Sequence, residues 1–339
     1  MMGTIEQGAE QAVRNCARVQ PGEKVVIITD LATEHIAEAL RDVAEGIALE
    51  TITTFVLEDF GDRPEDGSKP LGLPQEIADA VRGADVSFFA ATGQKGEVGS
   101  LRLPLIRVVY DANRVRHAHM PGISDVLMRM GMCTDYAEVQ RLSAAVAEIV
   151  REATEITVTS PAGTEFTAEF SPSLNWVTCD GILKPGKPTN LPEGEVFTCP
   201  YDVKEGVMVI DGILGDHFSE KNGLLEATPA TWEIEDGRVR SISCVDDRLV
   251  SELQEYMAQD ENANRLGEFA IGTNTGLDRL VGNMLQDEKF PGIHVAVGEP
   301  IPRETGADWT SKVHLDGVLK NVTIDVEGRV IMRDGVFVL

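Results

Sequence analysis

Two imidazoles and three carboxylates stand in four short runs in the second half of this chain: Glu195, Glu268, His294, His314 and Asp316. Neutral imidazole nitrogen together with hard carboxylate oxygen suits zinc, cobalt, manganese or ferrous iron. The tightest spacing is His314-Leu315-Asp316, inside the alternating run Ser311-Lys312-Val313-His314-Leu315-Asp316-Gly317-Val318-Leu319. Residues two apart on a strand point to one face, so His314 and Asp316 project together. Taken alone, that pair fits a cation site or a surface ion pair in which the aspartate merely orients the imidazole.

The other runs add weight by their company. His294 lies in Gly292-Ile293-His294-Val295-Ala296-Val297-Gly298, an apolar run of strand length, and shares the last third of the chain with no histidine but His314. A lone histidine in such a run is more often a satisfied core residue than a ligand. Glu268 is the one charge in Leu266-Gly267-Glu268-Phe269-Ala270-Ile271-Gly272, and Glu195 opens the apolar strand Glu195-Val196-Phe197-Thr198. A carboxylate in an apolar strand is costly unless it is paired or bound to metal. Two such glutamates beside two histidines are more economically explained by one metal centre than by four accidents. Three acidic donors nearly balance two divalent ions and over-neutralise one, so the expectation is two ions. Glu268 is the first choice for a bridging or proton-handling carboxylate.

These residues need strands to hold them, and the chain divides accordingly. Over residues 1–156 the pattern predicts an α/β domain, a parallel sheet with flanking helices. Its strands are Lys24–Asp30, Glu50–Leu57 and Asp85–Ala91, with helices over Thr4–Val19, Glu34–Glu45 and Pro74–Arg82. A further strand over Arg114–His119 would place His117 and His119 on one face; with no acidic partner nearby in sequence, a solvated strand end is expected there. The glycine-rich Thr92–Gly99 has neither Gly-x-Gly spacing nor a terminal Gly-Lys-Ser/Thr, so it reads as a loop and not as a phosphate cradle. Helix Tyr136–Ala153 carries an apolar stripe of Val139, Leu142, Val146, Ile149 and Val150. Residues 157–339 form a β-rich α+β domain, interrupted by predicted helices over Asp247–Gln259 and Thr275–Leu285. Trp176, Trp232 and Trp309 read as packing residues, although Trp309 lies close enough to His314 in sequence to line a substrate pocket.

Bulk composition narrows the partners. The chain has 339 residues, 42% apolar and 25% charged, with a net charge of −26. Such a surface excludes nucleic acid, which needs basic charge, and an anionic membrane surface. Five scattered cysteines, Cys16, Cys133, Cys179, Cys199 and Cys244, without a Cys-x-x-Cys, suit reduced thiols. No signal-like segment or run of membrane-spanning length is present, and a cytoplasmic protein is expected.

With these residues in hand, the second half resembles the metallo-aminopeptidase family that includes aminopeptidase T and aminopeptidase S. The matching pieces, in the family's order, are Asn190-Leu191-Pro192-x-Gly194-Glu195-Val196-Phe197, Leu266-Gly267-Glu268, His294-x-Ala296-x-Gly298 and Ser311-x-x-His314-x-Asp316. The resemblance implies Glu195, Glu268, His294, His314 and Asp316 as ligands of a dinuclear centre, removal of N-terminal residues from peptides or cleavage of a related small amide, and a homodimer or higher homo-oligomer. The family carries a tyrosine seven residues beyond the motif histidine; here that position is Ile301. The chain also looks like 2,5-dihydroxypyridine 5,6-dioxygenase, a mononuclear ferrous ring-cleaving enzyme on the same scaffold. That enzyme keeps His-x-Asp but places a histidine where Glu268 stands, and it lacks counterparts of Glu195 and His294. The acidic set favours the hydrolase; the Fe(II) dioxygenase of a hydroxylated N-heterocycle is the alternative.

Overall fold

The structure is a computed structural model that describes residues 2–48 and 51–339. Its contacts divide it into two compact units, Met1–Ala137 with Gly181–Glu193, and Glu138–Asp180 with Gly194–Leu339.

The first unit is built on a parallel sheet in the order Ile52–Val56, Val25–Thr29, Val86–Ala91, Arg116–Pro121, Pro188–Asn190. Val25–Thr29 and Val86–Ala91 are buried along their whole length, as strands covered on both faces must be. Helices Gln75–Gly83 and Leu103–Ala112 bring Ile77, Val81, Leu105 and Val109 to one cluster with Val26, Ile28 and Phe89. The helix predicted over Thr4–Val19 starts with a capping box between Thr4 and Gln7, runs as α-helix over Ile5–Glu10, then widens to a π-helix over Gln11–Cys16. The strand expected from Glu50 is described over Ile52–Val56; Glu50 itself lies outside the described residues.

One expectation fails here. His117 and His119 are 0% and 3% exposed rather than solvated. The reason is topological: Pro188–Asn190 returns from much later in the chain and pairs outside their strand, turning an edge into an interior position.

The second unit carries two antiparallel sheets. An eight-stranded sheet runs from Arg238–Ser243 at one edge to Val336–Phe337 at the other. A five-stranded sheet has the order His314–Leu319, Gly292–Gly298, Leu266–Gly272, Glu195–Thr198, Val177–Cys179. Between them lies one apolar core, with Phe269, Ile271, Ile293, Val295, Val297 and Leu315 from the smaller sheet and Met208, Ile210, Trp232 and Ile324 from the larger. Leu142, Val146 and Val150 of the helix Tyr136–Val150, and Leu249 and Leu253 of the helix Asp247–Tyr256, complete it.

The helix predicted over Thr275–Leu285 is not formed; only Met284–Asp287 is helical. The buried Asp287 carboxylate accepts from the backbone N–H groups of Val281, Gly282 and Asn283 at 2.7–3.2 Å. Those donors are thereby satisfied without a helix, and Gly282 turns the chain at φ +82°.

Candidate metal centre

The register of the five-stranded sheet puts the predicted residues on one face. Residues directly opposite in an antiparallel pair share a face. Glu268 is opposite Ala296, and Ala296 is opposite Asp316; Gly298 is opposite His314; Ala270 is opposite His294; Gly272 is opposite Glu195. Alternation sends the intervening Phe269, Ile271, Val295, Val297 and Leu315 into the core. The site face carries small residues, Ala270, Gly272, Ala296 and Gly298, between the polar ones, so the donors converge over open sheet.

Two backbone features aim the glutamates. The pairing slips between Leu266 and Glu268, a bulge at Gly267 that re-aims the following side chain. A Cβ on Gly267 would stand 2.2 Å from the Gly298 carbonyl oxygen, so only glycine fits. Gly194, at φ +141°, precedes Glu195, and a Cβ there would meet the Asn274 Cβ at 2.8 Å.

The donors lie at metal-like separations. His294 Nε2 is 3.5 Å from Glu195 Oε2 and 3.4 Å from Glu268 Oε1. His314 Nε2 is 3.4 Å from Glu268 Oε2 and 3.3 Å from Asp316 Oδ1. Four donors about 2.0–2.1 Å from a tetrahedral ion are separated by about 3.3–3.4 Å. Glu268 therefore presents one oxygen to each imidazole, and two donor triplets share it: Glu195–Glu268–His294 and Glu268–His314–Asp316. His294 is 2% exposed and His314 31%, so the face opens at the His314 end.

The proton positions point the same way. His314 Nδ1 lies 2.8 Å from the Glu299 carbonyl, which can only accept. Nδ1 therefore carries a hydrogen, and Nε2 is the ring atom that faces two carboxylates. A carbonyl on Nδ1 fixes the ring's orientation, as it does for imidazoles that bind metal through the other nitrogen. Glu299 is itself held by the Ser311 N–H on its carboxylate. Glu195 Oε2 and His294 Nδ1 are buried without a hydrogen-bond partner, an unusual cost for a folded interior that a cation on the Glu195 oxygen would remove.

The electrostatics call for positive charge. Burial alone would depress the His294 imidazole, but Glu268 and Glu195 outweigh it and lift the ring to about 9. Burial likewise opposes the charged form of His314, and Asp316 and Glu268 raise it. Burial would raise Asp316, yet His314, His294 and Lys289 hold its carboxyl below the usual range.

Two neighbours were not foreseen. Glu288 forms a further donor group with His294 and Asp316, and burial lifts its carboxyl to about 8 against the pull of Lys289. Lys289 is 1% exposed and its Nζ lies 2.8 Å from Glu195. In sequence, Asp287-Glu288-Lys289 is a run of charges before a strand and reads as a solvated turn. Ile301, at the tyrosine position, sits in left-handed backbone at φ +53° and packs beside Val177, Phe197 and Ala270. The Trp309 ring lies under the Arg265 guanidinium, 4.3 Å from its centroid.

A face that gathers acidic and imidazole donors, on a fold of this kind, defines a class of metalloenzyme-like proteins. The thermophilic metalloprotease (M29) family matches residues 133–334, more than half of the chain, and the chain belongs to that family. Its structure is similar to that of 2,5-dihydroxypyridine dioxygenase from Pseudomonas putida KT2440, with a TM-score of 0.71 at 19% identity over 98% of this chain and 96% of that one. It is equally similar to wild-type AmpT from Thermus thermophilus, with a TM-score of 0.71 at 19% identity over 99% of each chain. At that identity both likenesses are of fold. No curated protein matches the sequence. Among the described residues, no helix is long and apolar enough to cross a membrane.

Proposed function

We propose that this protein is a metal-dependent hydrolase of the aminopeptidase type, removing N-terminal residues from peptides or cleaving a related small amide. Glu195, Glu268, His294, His314 and Asp316 would hold the divalent metal, with zinc, cobalt or manganese suited to the donor set. The observation that carries this reading is Glu268, whose two oxygens each face a different imidazole at 3.4 Å. A divalent ion held there would lower the pKa of a water and polarise the scissile carbonyl.

The chain's own residues do the rest. Glu268 is the carboxylate placed to take a proton from the attacking water and return it to the departing amine. The Glu299 carbonyl keeps the His314 proton on Nδ1 and so keeps Nε2 directed at the reaction. The acidic face favours a protonated amino terminus, and the net charge of −26 steers cationic substrates toward the protein. Ile301, with Phe197 and Val177, offers an apolar contact where the family has a phenol. We take the working form to be a cytoplasmic homodimer, a reading supported by the family membership and by five scattered cysteines with no Cys-x-x-Cys among them.

The test is a panel of aminoacyl chromogenic amides assayed with metal-loaded protein and with Glu268→Ala. Metal-dependent amide cleavage that the variant loses supports the reading. Oxygen-consuming cleavage of a hydroxylated pyridine with Fe(II), and no amide cleavage, replaces it with a ring-cleaving dioxygenase.

A further inference from the structure

Lys289 is among the largest fully buried side chains of the molecule, at 1% exposure. Its Nζ lies 2.8 Å from Glu195 Oε1 and 2.8 Å from Glu288 Oε1. A buried ammonium persists only with such partners, and these two carboxylates border the candidate metal centre. We infer that the Lys289 ammonium is a resident cation of the centre: it takes the place of a second divalent ion, and the site holds one divalent ion in the Glu268–His314–Asp316 half. This rests on the hydrolase reading and sharpens it.

The two halves of the site are unequal. In the half formed by Glu195, Glu268 and His294, Glu195 already gives Oε1 to the ammonium. Only Oε2 is left, 3.5 Å from His294 Nε2. A divalent ion there would share a carboxylate with a fixed positive charge, inside a region where neither group reaches bulk water. In the other half, Glu268 Oε2 and Asp316 Oδ1 face His314 Nε2 at 3.4 and 3.3 Å. Lys289 forms ion pairs with Glu195 and Glu288, and His314 keeps 31% exposure, leaving a path for an ion and a substrate. Two unit charges about 5 Å apart at an effective dielectric of about 20 interact strongly enough to change an affinity on the order of 100-fold, and for a divalent ion the interaction energy doubles. The ammonium is therefore strong enough to decide occupancy.

The experiment is a metal titration of the full-length protein with zinc and with manganese. It is followed by calorimetry and by elemental analysis after gel filtration, for the wild type and for Lys289→Gln and Lys289→Met. The expected wild-type result is one tightly bound ion per chain, with any second ion at least about 100-fold weaker. Either folded variant, checked by circular dichroism, gains a second ion of comparable affinity. Two equivalent ions in the wild type overturn the inference and leave the hydrolase reading standing. A folded variant that still binds one ion also overturns it. No bound ion at all in the wild type removes the hydrolase reading with it. Should neither variant fold, the wild-type stoichiometry alone decides.

Discussion

The protein holds two pairs of histidines, and they behave in opposite ways. His117 and His119 share a face of one strand in the first unit; His294 and His314 lie on neighbouring strands in the second. The first pair sits in a neutral relay with a single consistent proton order. Arg102 Nε–H donates to His119 Nε2 at 3.2 Å. His119 Nδ1 then donates to His117 Nε2 at 3.3 Å, and His117 Nδ1 to Ser87 Oγ at 2.8 Å. The Phe89 ring stacks on His119 at 5.2 Å. Burial pushes His117 down to about 3, and burial, Arg102 and His117 together push His119 well below its ordinary value. In the second pair, burial is equally deep at His294, yet the carboxylates reverse the sign. On spacing alone, His117-x-His119 looks the better ligand pair. Among the described residues, however, neither belongs to a group able to hold a metal. What separates a candidate metal centre from a structural pair is a ring nitrogen facing carboxylates, as at His314, instead of an arginine donor, as at His119.

The largest test of that contrast is deletion. Glu268→Ala should lower amide turnover by at least about 1,000-fold and strip bound metal, whereas His117→Ala should leave metal content unchanged by elemental analysis. Equal metal loss in both variants would erase the distinction. Next in size is Ala296→Leu, which keeps every donor but fills the open sheet between Glu268 and Asp316. Metal affinity should fall on the order of 100-fold in calorimetry, with the cost of overpacking at about 1–3 kcal/mol in denaturation.

The pH behaviour separates the pairs further. His294 has a raised value near 9 and His314 is raised as well, so both rings hold protons in the metal-free protein at neutral pH. An entering ion must displace the proton of each ring it binds, and affinity should climb as pH rises toward 9. Calorimetry in buffers of different ionisation enthalpy should show net proton release near pH 7, one proton for each imidazole the ion takes. For His117 the sign is opposite. Its value in the fold, about 3, lies below that of the unfolded chain, about 6.5, so the unfolded state takes the proton first as pH falls. Stability from this group is present above about 6.5 and lost between there and about 3, at about 1.4 kcal/mol per pH unit. Urea denaturation of His117→Leu should show a shallower acid loss than the wild type; an identical slope would contradict the assignment. The smallest effect concerns Ile301. Its left-handed backbone costs a β-branched residue about 1–3 kcal/mol, so Ile301→Asn should lose little stability despite the lost apolar contact.

Much of this was legible in the sequence. The parallel sheet and its helices followed from strand and helix periods alternating over the first part of the chain. The shared face of His314 and Asp316 followed from their spacing, and a lone carboxylate inside an apolar strand marked Glu195 and Glu268. What was hidden depended on distant contacts. Pro188–Asn190 covers the His117 strand from far along the chain, and no local pattern announces that. Asp287 satisfies three backbone donors by itself, which dissolves a helix that periodicity suggested. Lys289 points inward because Glu195 awaits it, while its own neighbours in sequence are charged. The bulge at Gly267 is a property of strand pairing, visible only once Gly298 is known to lie against it.

The central claim is that the sheet face carrying Glu195, Glu268, His294, His314 and Asp316 holds a divalent cation, and a crystal soaked in zinc and measured at the zinc absorption edge tests it most directly. The account predicts an anomalous peak within about 2.0–2.2 Å of Glu268 and the His314 Nε2 atom. A well-ordered site face with no anomalous density, or a zinc ion bound by His117 and His119 instead, would contradict it.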